Sequence, residues 1–194
     1  MNAATLSLNW QGPSVGEDPA ATYAADIFAT VLANPTSRFY KKLVDSGLAT
    51  GAGFNYFTQA HVGPINVSVQ TAPEKVLQAE RVLLEEIASF TDSSYVTPEE
   101  LEAAQKQLGI AALYERERST AWAHTVGLWW AVAGLDYYRD YVPNMQRVSR
   151  GDIAELARKY MAGKPLVVGL LIDPKARASA GITADALLPR EVIP

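Results

Sequence analysis

The side chains that could do chemistry are few. The chain of 194 residues carries two histidines, His61 and His124, and no cysteine. His124 sits in "WAHTVGLWW". A helical imidazole that binds a metal needs a second ligand about one turn away, and the residues four positions either side are Thr120 and Leu128. The apolar surroundings make His124 a core histidine with a single hydrogen bond. His61 lies in a polar turn near Gln59 and reads as solvated. Asp26, Glu80, Glu85 and Glu86 fall on expected helix surfaces. A general acid–base pair needs carboxylates that converge in an environment that shifts one of them, and their spacing predicts neither. Glu115, Arg116, Glu117 and Arg118 form a charge cluster at a helix end, solvated or bridging to another domain. Trp122, Trp129 and Trp130 are spaced for a core stripe, although such rings also suit a ligand shelf or an interface with a neighbouring domain. No G-x-S-x-G, P-loop or dinucleotide fingerprint is present.

The bulk properties narrow the class further. The net charge is −4 and the basic residues are scattered, which argues against a nucleic-acid surface. No apolar run approaches the ~20 residues that span a bilayer. Residues 1–13 lack the basic and apolar blocks of a secretory leader. Absence of cysteine fits cytoplasm and periplasm alike.

The elements that must position these residues follow from periodicity and caps. Leu6, Leu8 and Trp10 alternate with polar residues in a strand that Gly12-Pro13 ends. Asp18-Pro19 caps a helix carrying Tyr23, Ile27, Phe28, Val31 and Leu32, which Asn34-Pro35 stops. A second helix follows in "TSRFYKKLVDSGLAT" (36–50), with Phe39, Tyr40 and Leu43 inward and Gly47 at its end. Residues 49–57 and 65–71 read as an antiparallel strand pair, the second with Ile65, Val67 and Val69 inward. Val76, Ala79, Leu83, Ile87 and Phe90 mark one stripe of a helix over 73–90. "VTPEEL" (96–101) holds a capping box, Thr97 with Glu100, and opens a long helix to about Arg118. An apolar helix runs to Gly134, and a short one follows. Ser149 and Asp152 then start a helix that buries Ile153, Leu156, Ala157 and Tyr160. The continuous apolar run "PLVVGLLID" (165–173) predicts a central strand. The order β-α-α-β-β-α-α-α-α-α-β predicts an α+β fold, a mostly antiparallel sheet with helices packed on one face. One domain spans residues 1–173, with 174–194 as a tail or linker.

Three stretches, "SRFYKKLVDSGLAT" (37–50), "GPINVSVQTAPEKVLQAERVLLEEI" (63–87) and "VTPEELEAAQKQL" (96–108), with "VSRGDIAELARKYM" (148–161) further on, carry a family resemblance. In order and spacing the chain resembles a domain of the insulinase/pitrilysin family of zinc metallopeptidases. That family holds zinc with an H-x-x-E-H helix and a downstream glutamate, and neither histidine here lies in such a motif. The resemblance is therefore to the second, C-terminal-type, non-catalytic domain, with no catalytic or metal-binding residue and no cofactor on this chain; zinc belongs to the parent protein's other domain. It implies a domain that forms part of a substrate chamber, contacts peptide, and packs against the zinc-bearing sister domain, with a second peptidase-like subunit as a further partner. Tyr40, Val44 and Thr50 are the chamber positions. In the family an Arg–Tyr pair occupies the places that Val44 and Thr50 hold here, and neither substitute can hold a peptide carbonyl as guanidinium and phenol do. That departure fits a domain of the zinc-bearing subunit, or an inactive homologue acting as a scaffold. Analogy with bacterial relatives implies the periplasm, with the cytoplasm as the alternative. A stand-alone ligand-binding domain is a third reading, for which the sequence offers no pocket signature.

Overall fold

The computed structural model describes residues 3–187. Four strands, β1 (Ala4–Gly12), β2 (Gly51–Tyr56), β3 (Gly63–Thr71) and β4 (Val167–Leu171), form one antiparallel sheet in the order β2-β3-β1-β4. Alternation sets the register. Leu6, Leu8 and Trp10 stand opposite Val69, Val67 and Ile65, and those three in turn face Ala52, Phe54 and Tyr56. Every residue of the apolar set on β1 and β3 is buried, while Ser7, Asn9, Asn66 and Ser68 point to the other face. A shift by one residue would turn both sets over, so burial of one face fixes the pairing.

Helices cover the apolar face. α1 (Pro19–Leu32) lies against β2 and is flanked by α4 (Pro98–Glu115), α6 (Leu135–Met145) and α7 (Arg150–Tyr160). α3 (Val76–Ser89), entered through a 3-10 turn at Pro73–Lys75, packs on β1 and β3. Rings fill the space between them: Phe28 meets Phe54 at 5.2 Å and Phe90 at 4.8 Å, both edge-on, the arrangement aromatic quadrupoles favour. The expected caps are formed. The Asp18 side chain accepts from Ala21 N at the start of α1, and both capping boxes, Thr97 with Glu100 and Ser149 with Asp152, are closed.

Two expectations are corrected. β4 pairs with β1 alone among the described residues and is an edge strand, with Val167 69% and Leu171 67% exposed on the open face. A continuous apolar run looks central in sequence, yet the longer β1 and β3 take the middle. α5 (Ser119–Val132) buries none of its residues fully; Trp122, Trp130 and His124 are exposed, and only Trp129 of the three tryptophans packs against the core, partly buried. Only one side of it is held: Trp129 stacks on Tyr137 of α6 at 5.2 Å, and the Trp122 indole donates to Tyr138. Residues 174–187 continue from β4. α8 (Pro174–Ser179), capped by Asp173, leads to Ile182 and Leu187, which join the core. The rest of the expected tail, 188–194, lies outside the described residues. No helix among the described residues is long and apolar enough to cross a membrane.

Candidate functional site

The segment 36–50 opens with Ser37, whose hydroxyl accepts from Tyr40 N. α2 (Arg38–Tyr40) then widens into a π-helical turn at Lys41–Asp45, a form often found at functional sites. Its Phe39 and Leu43 are fully buried. Its two cations converge on one acid. Lys42 Nζ lies 2.6 Å and an Arg38 guanidinium nitrogen 3.3 Å from Oε1 of Glu86, whose side chain is fully buried on α3. The Tyr95 hydroxyl donates to the other carboxylate oxygen at 2.9 Å, and the Arg38 guanidinium lies 5.0 Å over the Tyr95 ring. Buried beside an ion pair, that phenol is held well above its ordinary range. Four charged or polar groups thus lock α2 to α3, each with a partner, as a buried charge requires.

Gly47 ends the segment at φ 73, a left-handed conformation glycine adopts without cost. Lys75 Nζ binds its carbonyl and Thr71 Oγ1 that of Leu48, which aims the chain into β2. Of the chamber positions inferred from the sequence, Tyr40 and Val44 are half-buried on successive turns of one helix, with Val44 packed on the core. Thr50 is exposed at the start of the β2 edge. Its amide and hydroxyl both donate to the Gln70 carbonyl, so that hydroxyl is occupied by the sheet.

The carboxylates read as surface groups divide sharply. Glu85 is exposed. Glu86 and Glu80 are buried, and Oε1 of Glu80 has no hydrogen-bond partner among the described residues. Burial alone pushes Glu80 up to about 7. Asp26, half-buried on α1, faces α6. Burial raises it to about 6 against the opposing effect of hydrogen bonds from Tyr141, at 2.6 Å, and Thr58. Around it the Tyr23, Tyr137 and Tyr141 rings lie within 5.0–6.0 Å of one another, Tyr23 stacked on Tyr137 and Tyr141 tilted against both. The sequence held a signal for Glu86: it lies three residues after Leu83 and four before Phe90, on the buried stripe itself.

The helical layer carries two mixed depressions. One of about 560 Å3 separates α1 from α7 and is lined by Asp18, Tyr23, Glu155, Lys159 and others; one of about 660 Å3 separates α4 from α6. Tyr40, Val44 and Thr50 line neither. His61 and His124 are both exposed, on the β2–β3 loop and on α5. Among the described residues no three His, Cys, Asp or Glu side chains come together as a metal site. The geometry offers buried acids, of which Glu86 and Asp26 hold helices through their partners.

A family model described as the peptidase M16 inactive domain matches residues 1–108. The chain belongs to the peptidase M16 inactive-domain family. Solved structures extend the likeness of this M16 domain beyond the matched residues. A candidate zinc protease from Bordetella pertussis Tohama I has TM-score 0.77 at 20% identity, over 89% of this chain and 95% of that one. The inactive peptidase domain of a candidate zinc protease from Bordetella parapertussis has TM-score 0.78 at 20% identity, over 89% and 92%. A protease from Helicobacter pylori has TM-score 0.74 at 18% identity; it covers 89% of this chain, which spans 42% of that longer one. No curated protein matches the chain in sequence. At these identities the structures show a shared fold. The M16 inactive domain is thus an α+β unit.

Proposed function

We propose that this domain is the non-catalytic part of an insulinase/pitrilysin-type zinc metallopeptidase. It walls the substrate chamber and packs against a zinc-bearing domain or subunit, where peptide bonds are hydrolysed. The observation that carries the reading is the match to the M16 inactive domain. The sheet supports it. None of its four strands contains Asp, Glu, Lys or Arg. Its open face presents hydroxyls, amides and glycines, with the exposed Val167 and Leu171 at the β4 edge: Asn66 donates to Asn9 at 2.8 Å, and Asn9 donates to the Val167 carbonyl at 3.1 Å. Such a face can exchange hydrogen bonds with a passing polypeptide without holding one charge type. Tyr40 and Val44, beside the β2 edge, would be the rim that touches peptide. Zinc, held by the companion, would supply the Lewis acid and the activated water; this chain would bind, orient and exclude solvent.

The test uses the purified chain and a zinc-bearing polypeptide with H-x-x-E-H from the same source. The chain alone should hold far less than stoichiometric zinc and cleave no peptide. Chelator-sensitive hydrolysis should require the zinc-bearing polypeptide and rise when this chain is added. Stoichiometric zinc with turnover by the chain alone would overturn the proposal. Assembly without hydrolysis would favour the scaffold reading, which the valine and threonine at positions 44 and 50 also suit.

A further inference from the structure

We propose that the carboxyl of Asp26 is a pH-sensitive clasp between α1 and α6: α6, with α5 riding on it, docks tightly while that carboxyl carries a proton and opens more readily once it is ionised. Three side chains of α1 hold α6. The Tyr137 hydroxyl lies 2.6 Å from Thr22 Oγ1, Asn144 donates to the Tyr23 hydroxyl at 3.1 Å, and the Tyr141 hydroxyl donates to Asp26 Oδ2 at 2.6 Å. Of these bonds, the last alone involves a group that ionises in mildly acidic water. Thr58 of the β2–β3 loop donates to the same carboxyl, so α1, α6 and that loop meet at it. The chain is also jointed beside it. Pro143 lies inside α6, between Tyr141 and Met145, and removes the backbone bond to the Arg139 carbonyl. Beyond that joint Met145 is buried, and Gln105 of α4 binds the carbonyls of Met145, Gln146 and Val148, so this end stays fixed. The part that can swing is held to α1 by Tyr137 and Tyr141. α5 follows it through Trp129, whose ring lies 5.2 Å from Tyr137 and 5.3 Å from Tyr141.

The surroundings of the carboxyl decide the sign. Tyr23 faces it from α1 itself, Tyr56 from β2, and Tyr137 and Tyr141 from α6. Burial holds each of these phenols above its ordinary range, so all four are neutral in acid and at neutrality. Asp140 of α6 is exposed and acts on Tyr23, while Asp18 and Tyr160, at the contact of α1 with α7, act on Tyr56. No charged side chain of α2, α4 or α7 bears on Asp26, and among the described residues no lysine, arginine or histidine pairs with it. His61, on the loop that carries Thr58, is exposed. Two hydroxyls without a cation do not replace the water that an ionised carboxylate loses among these rings, so the closed arrangement favours the protonated form. Opening gives that water back, and ionisation therefore favours opening. The carboxyl, raised to about 6 by burial, agrees with that sign.

Hydrogen–deuterium exchange of the purified chain at pH 4.5 and 7.5, corrected for the intrinsic pH dependence of exchange, tests this. Amides of residues 119–141 should exchange well before those of β1 and β3 at both pH values, which marks opening of α5 and α6 without unfolding of the sheet. With the carboxyl at about 6 when closed and 3.8 when open, that opening should be roughly 25-fold more frequent at pH 7.5 than at pH 4.5. Asp26→Asn should abolish the response. His61→Gln should keep it, and so should Glu115→Gln, which alters the acid that Thr125 of α5 binds. Tyr141→Phe leaves the ionised carboxylate one donor short, so it should speed exchange of 119–141 more at pH 7.5 than at pH 4.5. A pH response below about threefold, a response that survives Asp26→Asn, or exchange of 119–141 only in step with β1 and β3 would overturn the proposal. Should Asp26→Asn fail to fold, Tyr141→Phe decides: an equal effect at both pH values overturns it.

Discussion

Lys42→Met puts the buried ion pair to a direct test. The substitution keeps most of the aliphatic stem and removes the ammonium 2.6 Å from Glu86. The carboxylate stays fully buried, with Arg38 at 3.3 Å and the Tyr95 hydroxyl at 2.9 Å as remaining partners. Breaking a buried pair by removing one partner costs roughly 3–5 kcal/mol. Lys42 is 39% exposed and Arg38 remains, so the expected loss lies near the lower end, about 3 kcal/mol. In a domain of this size that lowers the melting temperature by roughly 6–12 °C. Urea unfolding at pH 7 and 25 °C, followed by circular dichroism, measures it, and Glu86→Gln with the double variant closes a cycle. Glu86→Gln on its own is milder, because a partly exposed ammonium can return to water. The coupling between the two changes should exceed about 1.5 kcal/mol, above what an exposed pair provides. A single-variant loss below about 1 kcal/mol with no coupling would refute the reasoning and reduce the cluster to an ordinary surface pair.

Asp26 gives a pH dependence of defined sign. Its folded carboxyl, at about 6 against an ordinary 3.8, binds a proton more tightly than the unfolded chain does. Its contribution is therefore complete below about pH 4 and is lost as the pH rises through about 6, on the order of 3 kcal/mol in all. Asp26→Asn should flatten that slope in urea titrations at pH 4.5 and 7.5; an unchanged slope would count against burial as the cause. Glu80, raised to about 7 without a partner, has the same sign over a higher window. Glu80→Leu should stabilise the domain at pH 8 by roughly 1–2 kcal/mol, since it removes an unsatisfied buried group, and thermal melts at pH 8 and pH 5 should show the gain shrinking at the lower pH.

Much of the fold was legible because its signals are local. Alternation in Leu6–Trp10 and Ile65–Val69 named the buried face of both central strands, and Asp18, Thr97 and Ser149 cap the helices they announce. What failed to show depended on distant partners. Glu86 resembles any helix-surface acid until Lys42 and Arg38, 44 and 48 residues earlier in the chain, are brought beside it. Apolarity marks α5 and β4 as residues that avoid water, but it carries no statement of which surface shelters them. β4 lost the middle of the sheet to longer strands, and α5 found α6 along one side and Glu115 at the end of α4. That Val44 lies on a helix and Thr50 opens a strand was readable, whereas the commitment of the Thr50 hydroxyl to Gln70 required the neighbouring strand.

The charge-free sheet bears on how such a wall would behave in different media. Attraction between fixed ions weakens as salt rises, because the screening length shrinks from about 10 Å at 0.1 M to about 3 Å at 1 M. Hydroxyl and amide donors have no comparable dependence. A polypeptide sliding over Ser7, Asn9, Asn66 and Ser68 would meet the same friction in dilute medium and in brine, whatever the acidity of its own side chains.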